Sequence, residues 1–247
     1  MQRIVLIIFR MFFRAIYYFT RICWYASKRH INYEKDFMII KKACRAAIKA
    51  ARVTIEVEGV ENIPKEDGFI FYPNHQGMFD VLMLFESSTK PFAFVIKKEA
   101  SKVILLKQII AGTGSYVMDR EDMRQSVQVI SDVAREVRTG RNFIIFAEGT
   151  RSKNGNQLLE FKGGSFKAAY RAQCPVVPCA LIDSYKPFDE KGICPLTAKL
   201  IYLPPIPYEE YKDWKAVELA GEVKKRIEKV IAEKTGENKL RKENRMT

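Results

Sequence analysis

From Val53 onward, short apolar runs alternate with stretches of helical period. Val53–Val57 alternates apolar and polar positions, the period of a strand with one covered face. Phe69–Tyr72, ending at Pro73, and Phe143–Phe146 are unbroken apolar runs, as expected of strands buried on both faces. Further strands are predicted at Phe92–Ile96, Tyr116–Met118, Val176–Ile182 and Ala198–Leu203. Helices are predicted over Asp80–Phe85, Glu99–Ile110, Asp122–Arg138, Ser165–Gln173 and Trp214–Lys234, the last ending before Gly236. In the 122–138 segment Met123, Val127, Ile130, Val133, Ala134 and Val137 share one face. Repeated strand–helix alternation predicts an α/β fold, a mixed and mostly parallel sheet flanked by helices. The polar end of the chain, from Lys234, reads as a frayed charged tail.

Upstream of Val53 the pattern changes. Ile4–Ala26 is almost wholly apolar and aromatic, interrupted by Arg3, Arg10, Arg14 and Arg21, with Lys28 just beyond. At about 100° per residue these five cations lie within roughly 20° of one direction. A helix here carries a narrow cationic stripe and an apolar remainder, with Tyr17, Tyr18, Trp24 and Tyr25 suited to headgroup depth. The longest uncharged run is six residues, against about 20 for a spanning helix. The favoured reading is a helix lying in the membrane interface with its arginines on lipid phosphate, and a span is left open. A second basic helix over Asp36–Ala51 places Phe37, Ile40, Ala43, Cys44, Ala47 and Ile48 on one side. The expected organisation is a membrane-associating helical hairpin (1–52), an α/β domain (53–235) and a charged tail (236–247).

Charge sharpens this division. The 247 residues carry a net charge of +13. Residues 1–52 hold twelve Lys and Arg against only Glu34 and Asp36, whereas the remainder holds 30 basic and 27 acidic residues. The N-terminus therefore seeks a polyanion, and its apolar, aromatic character favours an anionic membrane over nucleic acid. Five scattered cysteines without CxxC spacing argue against a disulfide framework. There is no GxxxxGK[ST] phosphate loop, no dinucleotide fingerprint, no complete nucleophile elbow and no His/Cys cluster with metal-ligand spacing.

Candidate chemistry sits at two strand ends. In Tyr72-Pro-Asn-His-Gln-Gly-Met-Phe-Asp80, His75 leaves a strand and Asp80 falls in the first turn of a helix. Folded back, that carboxylate fixes one imidazole nitrogen and leaves the other to accept a proton. A strand-end His bonded to backbone, with Asp capping the helix, is the bland alternative for such a pair. In Phe146-Ala-Glu-Gly-Thr-Arg-Ser152, Gly149 permits a tight turn, and Arg151 with the Thr150 and Ser152 hydroxyls can donate to phosphate. Arg120 follows the strand at 116–118, and Lys162 precedes a Gly-Gly helix start. These cations could converge on one anion, or could make ordinary surface ion pairs.

Taken together, Asn74-His75-x4-Asp80 and Phe146-x-Glu148-Gly149-Thr150-Arg151-Ser152 resemble, in order and separation, two signature blocks of the 1-acylglycerol-3-phosphate O-acyltransferase (PlsC) family. Gly114–Arg120 and Val177–Ala180 resemble two further blocks, and Phe161–Lys167 a basic segment the family carries after Glu148–Arg151. Ala147 stands where the family commonly has proline, and Gly77 where serine is frequent. The resemblance covers about residues 53–205. It implies acyl transfer from acyl-ACP or acyl-CoA to the sn-2 hydroxyl of a lysophosphatidate, giving phosphatidate, with no cofactor and no metal. It implies His75 as general base and Asp80 as its orienting partner. Glu148, Gly149, Thr150 and Arg151 would hold the acceptor, with Arg120 and Lys162 assisting. Loop N–H groups near Gly77 are candidates for the oxyanion. The expected location is the cytoplasmic face of the cell membrane, peripheral or monotopic. Another lysophospholipid or glycerol 3-phosphate as acceptor, a thioester hydrolase, and a non-catalytic membrane binder are the alternatives.

Overall fold

A computed structural model describes residues 2–27, 33–102 and 104–246. The chain begins with two long helices, α1 (Gln2–Ser27) and α2 (Tyr33–Ala50). There follow β1 (Val53–Glu58), β2 (Ile70–Pro73), α3 (Phe79–Ser87), β3 (Ala93–Lys97), α4 (Ile104–Thr113), β4 (Tyr116–Met118), α5 (Met123–Arg138) and β5 (Phe143–Ile144). The chain then forms α6 (Lys167–Ala172), β6 (Val176–Ile182), α7 (Lys186–Asp189), β7 (Leu196–Tyr202), α8 (Tyr208–Tyr211) and α9 (Ala216–Met246). The seven strands form one sheet in the order β1-β7-β6-β2-β5-β3-β4. Every pairing is parallel except β6 with β7. This is the mixed, mostly parallel α/β architecture that the alternation predicts.

The sheet is covered on both faces, which is why its central strands read as unbroken apolar runs. Ile70 and Tyr72 of β2 join one core with Val133 of α5, Ala169 of α6 and Val223 of α9. Phe69 and Phe71, of opposite parity, join the other with Phe37 and Ile40 of α2 and Met83 of α3. α5 starts where Asp122 accepts the Gln125 N–H at 3.0 Å, an N-cap that satisfies an otherwise orphaned donor.

Three elements depart from the periodic reading. β5 pairs over two residues only; the Ile145 N–H still bonds to Phe71 O at 3.0 Å, and the chain then turns out of the sheet into the 146–152 loop. The helix expected from Glu99 starts as a 3₁₀ turn at Ala100–Lys102, with the α-helix from Ile104. α9 runs through Gly236 to Met246 instead of stopping at Lys234. One glycine costs a helix only about 1 kcal/mol, and the Glu/Lys-rich sequence beyond it has high helix propensity.

The largest departure is the orientation of α1. It packs on α2 and α4. Arg3 is 4% exposed and donates to Ala51 O at 2.8 Å and to Cys194 O at 2.5 Å. Arg10 donates to Ala50 O at 3.2 Å. These two arginines therefore do not reach out for phosphate. They serve the orphan carbonyls at the C-terminus of α2, where the helix dipole is negative. Those carbonyls account for the buried Arg3 guanidinium. Burial lowers the Arg3 pKa from its usual value, and its Nε has no partner. Arg10, Arg14 and Arg21 stay exposed, and around them Phe9 and Phe13 stand 83% and 84% exposed, accompanied by Val5, Ile8, Phe12, Ile16, Tyr17 and Trp24. The Tyr25 side chain, Lys28 and His30 lie outside the described residues. Among the described residues, no helix is long and apolar enough to cross a membrane.

Candidate active site

β2 and β5 are neighbours and parallel, so the loops after them leave the sheet at the same edge. In parallel sheets this carboxyl edge is where ligands bind. The first loop starts from a fixed point: the Asn74 amide donates to Leu181 O at 3.0 Å and accepts the Leu181 N–H at 2.7 Å on β6. His75 follows. Asp80, in the first turn of α3, folds back so that Oδ2 meets His75 Nδ1 at 2.7 Å. The same oxygen accepts the N–H groups of Gln76 at 2.8 Å and Gly77 at 3.0 Å. Asp80 is fully buried and its Oδ1 has no partner. Nδ1–H donating to this carboxylate leaves Nε2 as the acceptor, and the His75 side chain keeps 20% of its surface open.

The second loop grips the first. Glu148 is 2% exposed; Oε1 accepts the His75 N–H at 2.6 Å and Oε2 accepts the Leu159 N–H at 2.9 Å. Burial pushes its carboxyl above the usual range, opposed by those two bonds. The Ser152 N–H donates to His75 O at 2.8 Å, so both backbone polar groups of His75 are held by this loop. Phe146 stacks on the imidazole with ring centroids 4.1 Å apart.

Gly149 adopts φ +76, a left-handed conformation that favours glycine. Arg120 Nη1 donates to Gly149 O. A Cβ on Gly149 would lie 3.3 Å from Lys162 Nζ and 3.5 Å from Arg120 Nη1, so both cations close on this one turn. Burial lowers the Arg120 pKa from its usual value, and guanidinium stays charged regardless. Thr150 and Arg151 are exposed at the loop tip. A proton acceptor thus stands beside a cationic turn at one sheet edge. Among the described residues no group of His, Cys, Asp and Glu could hold a metal ion.

Residues 54–182 match the model of the Acyltransferase family. The chain belongs to that family. Over 120 residues it is 31% identical to the 1-acyl-sn-glycerol-3-phosphate acyltransferase of Helicobacter pylori, covering 49% of this chain and 51% of the relative. Over 181 residues it is 30% identical to the 1-acyl-sn-glycerol-3-phosphate acyltransferase alpha of Ovis aries, covering 70% and 61%. The matched stretch is thus about half to three-fifths of those relatives' lengths. The fold matches the crystal structure of the 1-acyl-sn-glycerophosphate (LPA) acyltransferase PlsC from Thermotoga maritima, with a TM-score of 0.72 at 22% identity over 93% of this chain and 96% of that one.

Within this acyltransferase-family chain, sequence expectations meet the structure unevenly. His75 pairs with Asp80, and Arg120 and Lys162 gather at Gly149. Glu148 is buried, with both oxygens on backbone N–H groups. The Ser152 hydroxyl donates to Gln157 O at 2.5 Å instead of facing the anion site. The Gln76 and Gly77 N–H groups are taken by Asp80, so they do not serve an oxyanion. A Cβ on Gly77 would lie 3.3 Å from the Tyr185 Cα, which accounts for glycine at this close approach. Ala147 is fully buried, and its carbonyl accepts the Lys162 N–H at 2.9 Å, which holds the loop without a proline. Two contributors escaped the sequence reading. Phe146 looked like the end of a buried strand. Gln76 carries no chemical signal, yet its side chain donates to Asn156 Oδ1 at 2.8 Å and accepts from the Ser184 N–H at 2.9 Å, tying three loops together.

Proposed function

We propose that the chain transfers an acyl group from acyl-ACP or acyl-CoA to the sn-2 hydroxyl of 1-acylglycerol 3-phosphate, yielding phosphatidate and a free thiol. The observation that carries this reading is the His75–Asp80 pair, 2.7 Å apart, at the same sheet edge as the turn where Arg120 and Lys162 meet. The acceptor phosphate lies against Arg120, Lys162 and Arg151, with Thr150 beside them, and the glycerol then extends toward His75. Nε2 takes the hydroxyl proton as the oxygen attacks the thioester carbonyl. The tetrahedral intermediate expels the thiolate, which recovers the proton from the imidazolium. Asp80 keeps the tautomer and stabilises the transient cation. Glu148 acts here as a brace, since its carboxylate is spent on backbone.

The acceptor lives in a bilayer, and the outward apolar side of α1 supports docking there. Residues 1–52 form the membrane hairpin, 53–235 the catalytic domain and 236–247 a charged extension. We place the enzyme on the cytoplasmic face of the cell membrane, held in the interface. The test is acyl transfer to lysophosphatidate with each donor, run for the native chain and His75→Ala. Expected is a loss of at least about 10²-fold, the lower range for general-base catalysis. Near-native turnover by a folded His75→Ala variant refutes the mechanism.

A further inference from the structure

We infer that Phe146 is a positioning residue for proton transfer: its ring holds the plane of the His75 imidazole and supports the imidazolium that forms as the acceptor hydroxyl is deprotonated. This rests on the proposed acyl transfer and adds to it a residue that acts through His75. The hydrogen bond to Asp80 fixes one ring nitrogen, at 2.7 Å, but leaves the imidazole free to tilt about that bond. A second contact is needed to fix the direction of Nε2. Phe146 supplies it, with centroids 4.1 Å apart and an interplanar angle of 27°. Phe94 lies beyond Phe146, its ring nearly parallel at 7° with centroids 6.5 Å apart. The Phe146 carbonyl also accepts the Gly149 N–H at 3.1 Å, so the same turn that gathers the cations seats the aromatic platform.

The platform is selective for the reacting state. An aromatic face carries negative quadrupolar charge and attracts a cation within about 6 Å of its centroid more than a neutral ring. Imidazolium exists only once the proton has moved, so this attraction grows toward the transition state and raises turnover without tightening substrate binding. Among the described residues, Asp80 and Glu148 are carboxyls acting on His75, and neither fixes the tilt of the ring.

Fluorination separates the electrostatic role from packing. Phe146 in the full chain is replaced by mono-, di- and trifluorophenylalanine, which keep the ring's shape while draining its face. The expected kcat falls stepwise, by about tenfold at three fluorines, with KM for both substrates within about twofold. A second readout needs no turnover. The chain has two histidines, His30 and His75, so proton NMR resolves their ring signals, and His75→Gln assigns them. The His75 ring protons should lie upfield, shielded by the Phe146 face, and move downfield in Phe146→Leu while those of His30 stay. Signals that do not move overturn the inference, and so does a flat kcat. If the native chain acylates no lysophosphatidate, the proposed function fails, and the ring signals still decide whether Phe146 holds the His75 ring.

Discussion

Replacing Glu148 with Gln separates two roles for this carboxylate. The family resemblance makes it an acceptor ligand; the geometry makes it a brace. Glu148 is 2% exposed and receives two N–H groups, from His75 at 2.6 Å and Leu159 at 2.9 Å. Glutamine has one carbonyl oxygen, so one of those donors must face an NH₂ group. An orphaned buried donor costs about 1–3 kcal/mol, and the surviving bond weakens by about 1 kcal/mol once its acceptor is neutral. The saved desolvation of the carboxylate offsets part of this, leaving a net loss of about 1–3 kcal/mol in unfolding free energy. The backbone of His75 then shifts, and a displacement near 1 Å costs about 10²-fold in rate. The brace therefore predicts a large fall in kcat, with KM for lysophosphatidate within about threefold, in steady-state assays. A raised acceptor KM at unchanged kcat would refute the brace and restore the ligand role.

The same residue makes stability depend on pH. Burial raises the Glu148 pKa, so the native state binds that proton more tightly than the unfolded chain does. Its contribution is most favourable below the ordinary carboxylate range. It declines as pH climbs through that range to the raised native value, and is level above it. Urea midpoints measured across this window should lose part of their downward slope in Glu148→Gln.

Two further outcomes follow from the same geometry. Gly149→Ala forces a left-handed alanine, costing about 1–2 kcal/mol, and its Cβ would crowd Lys162 Nζ at 3.3 Å. The acceptor KM should rise about tenfold, with a smaller change in kcat, since substrate binding rather than the base is disturbed. Arg3→Ala leaves Ala51 O and Cys194 O without their donor; water can reach the exposed Cys194, but the buried Ala51 O costs about 1–3 kcal/mol when orphaned. A drop of about 2 kcal/mol in denaturant unfolding is expected; an unchanged midpoint would show that the guanidinium does not hold α1.

Much of the site was legible because it depends on chain order. Apolar runs located β2 and β5, and the five-residue step from His75 to Asp80 is short enough to close only across a turn into a helix. Gly149 marked the tight turn that its φ of +76 requires. What sequence could not supply was direction. A loop carboxylate reads the same whether it faces substrate or backbone, so the inward turn of Glu148 was hidden, as was the use of the Gln76 and Gly77 N–H groups by Asp80. Phe146 was hidden for another reason: pairing of β5 stops at Ile144, which frees an apparent core aromatic to leave the sheet and meet His75. The antiparallel turn of β7 against β6 likewise leaves no mark in apolar runs.

The orientation of α1 is the same problem on a larger scale, and it changes the physics of docking. A helical wheel shows that the arginines share a side; it cannot show which side meets the body. Here Arg3 is buried on the carbonyl of Ala51 and Arg10 bonds to Ala50 O from the surface, while Arg14 and Arg21 stay exposed. The outward surface beside these cations is mostly aromatic and aliphatic, and its attraction to a bilayer comes from burial more than from charge. Burying a phenylalanine side chain contributes about 1.5–3 kcal/mol. Phe9 and Phe13, 83% and 84% exposed, face away from the core, so changing both to Asp should leave the melting temperature of the body unaltered. Vesicle affinity should nevertheless fall by roughly 10²–10⁴-fold, measured by sedimentation. Charge-driven binding would instead weaken steeply with salt, and the native chain should keep most of its affinity from 0.1 to 1 M salt on the burial account. Vesicle binding that collapses at high salt, yet survives the double aspartate variant, would show that the membrane reads the cations and not this aromatic face.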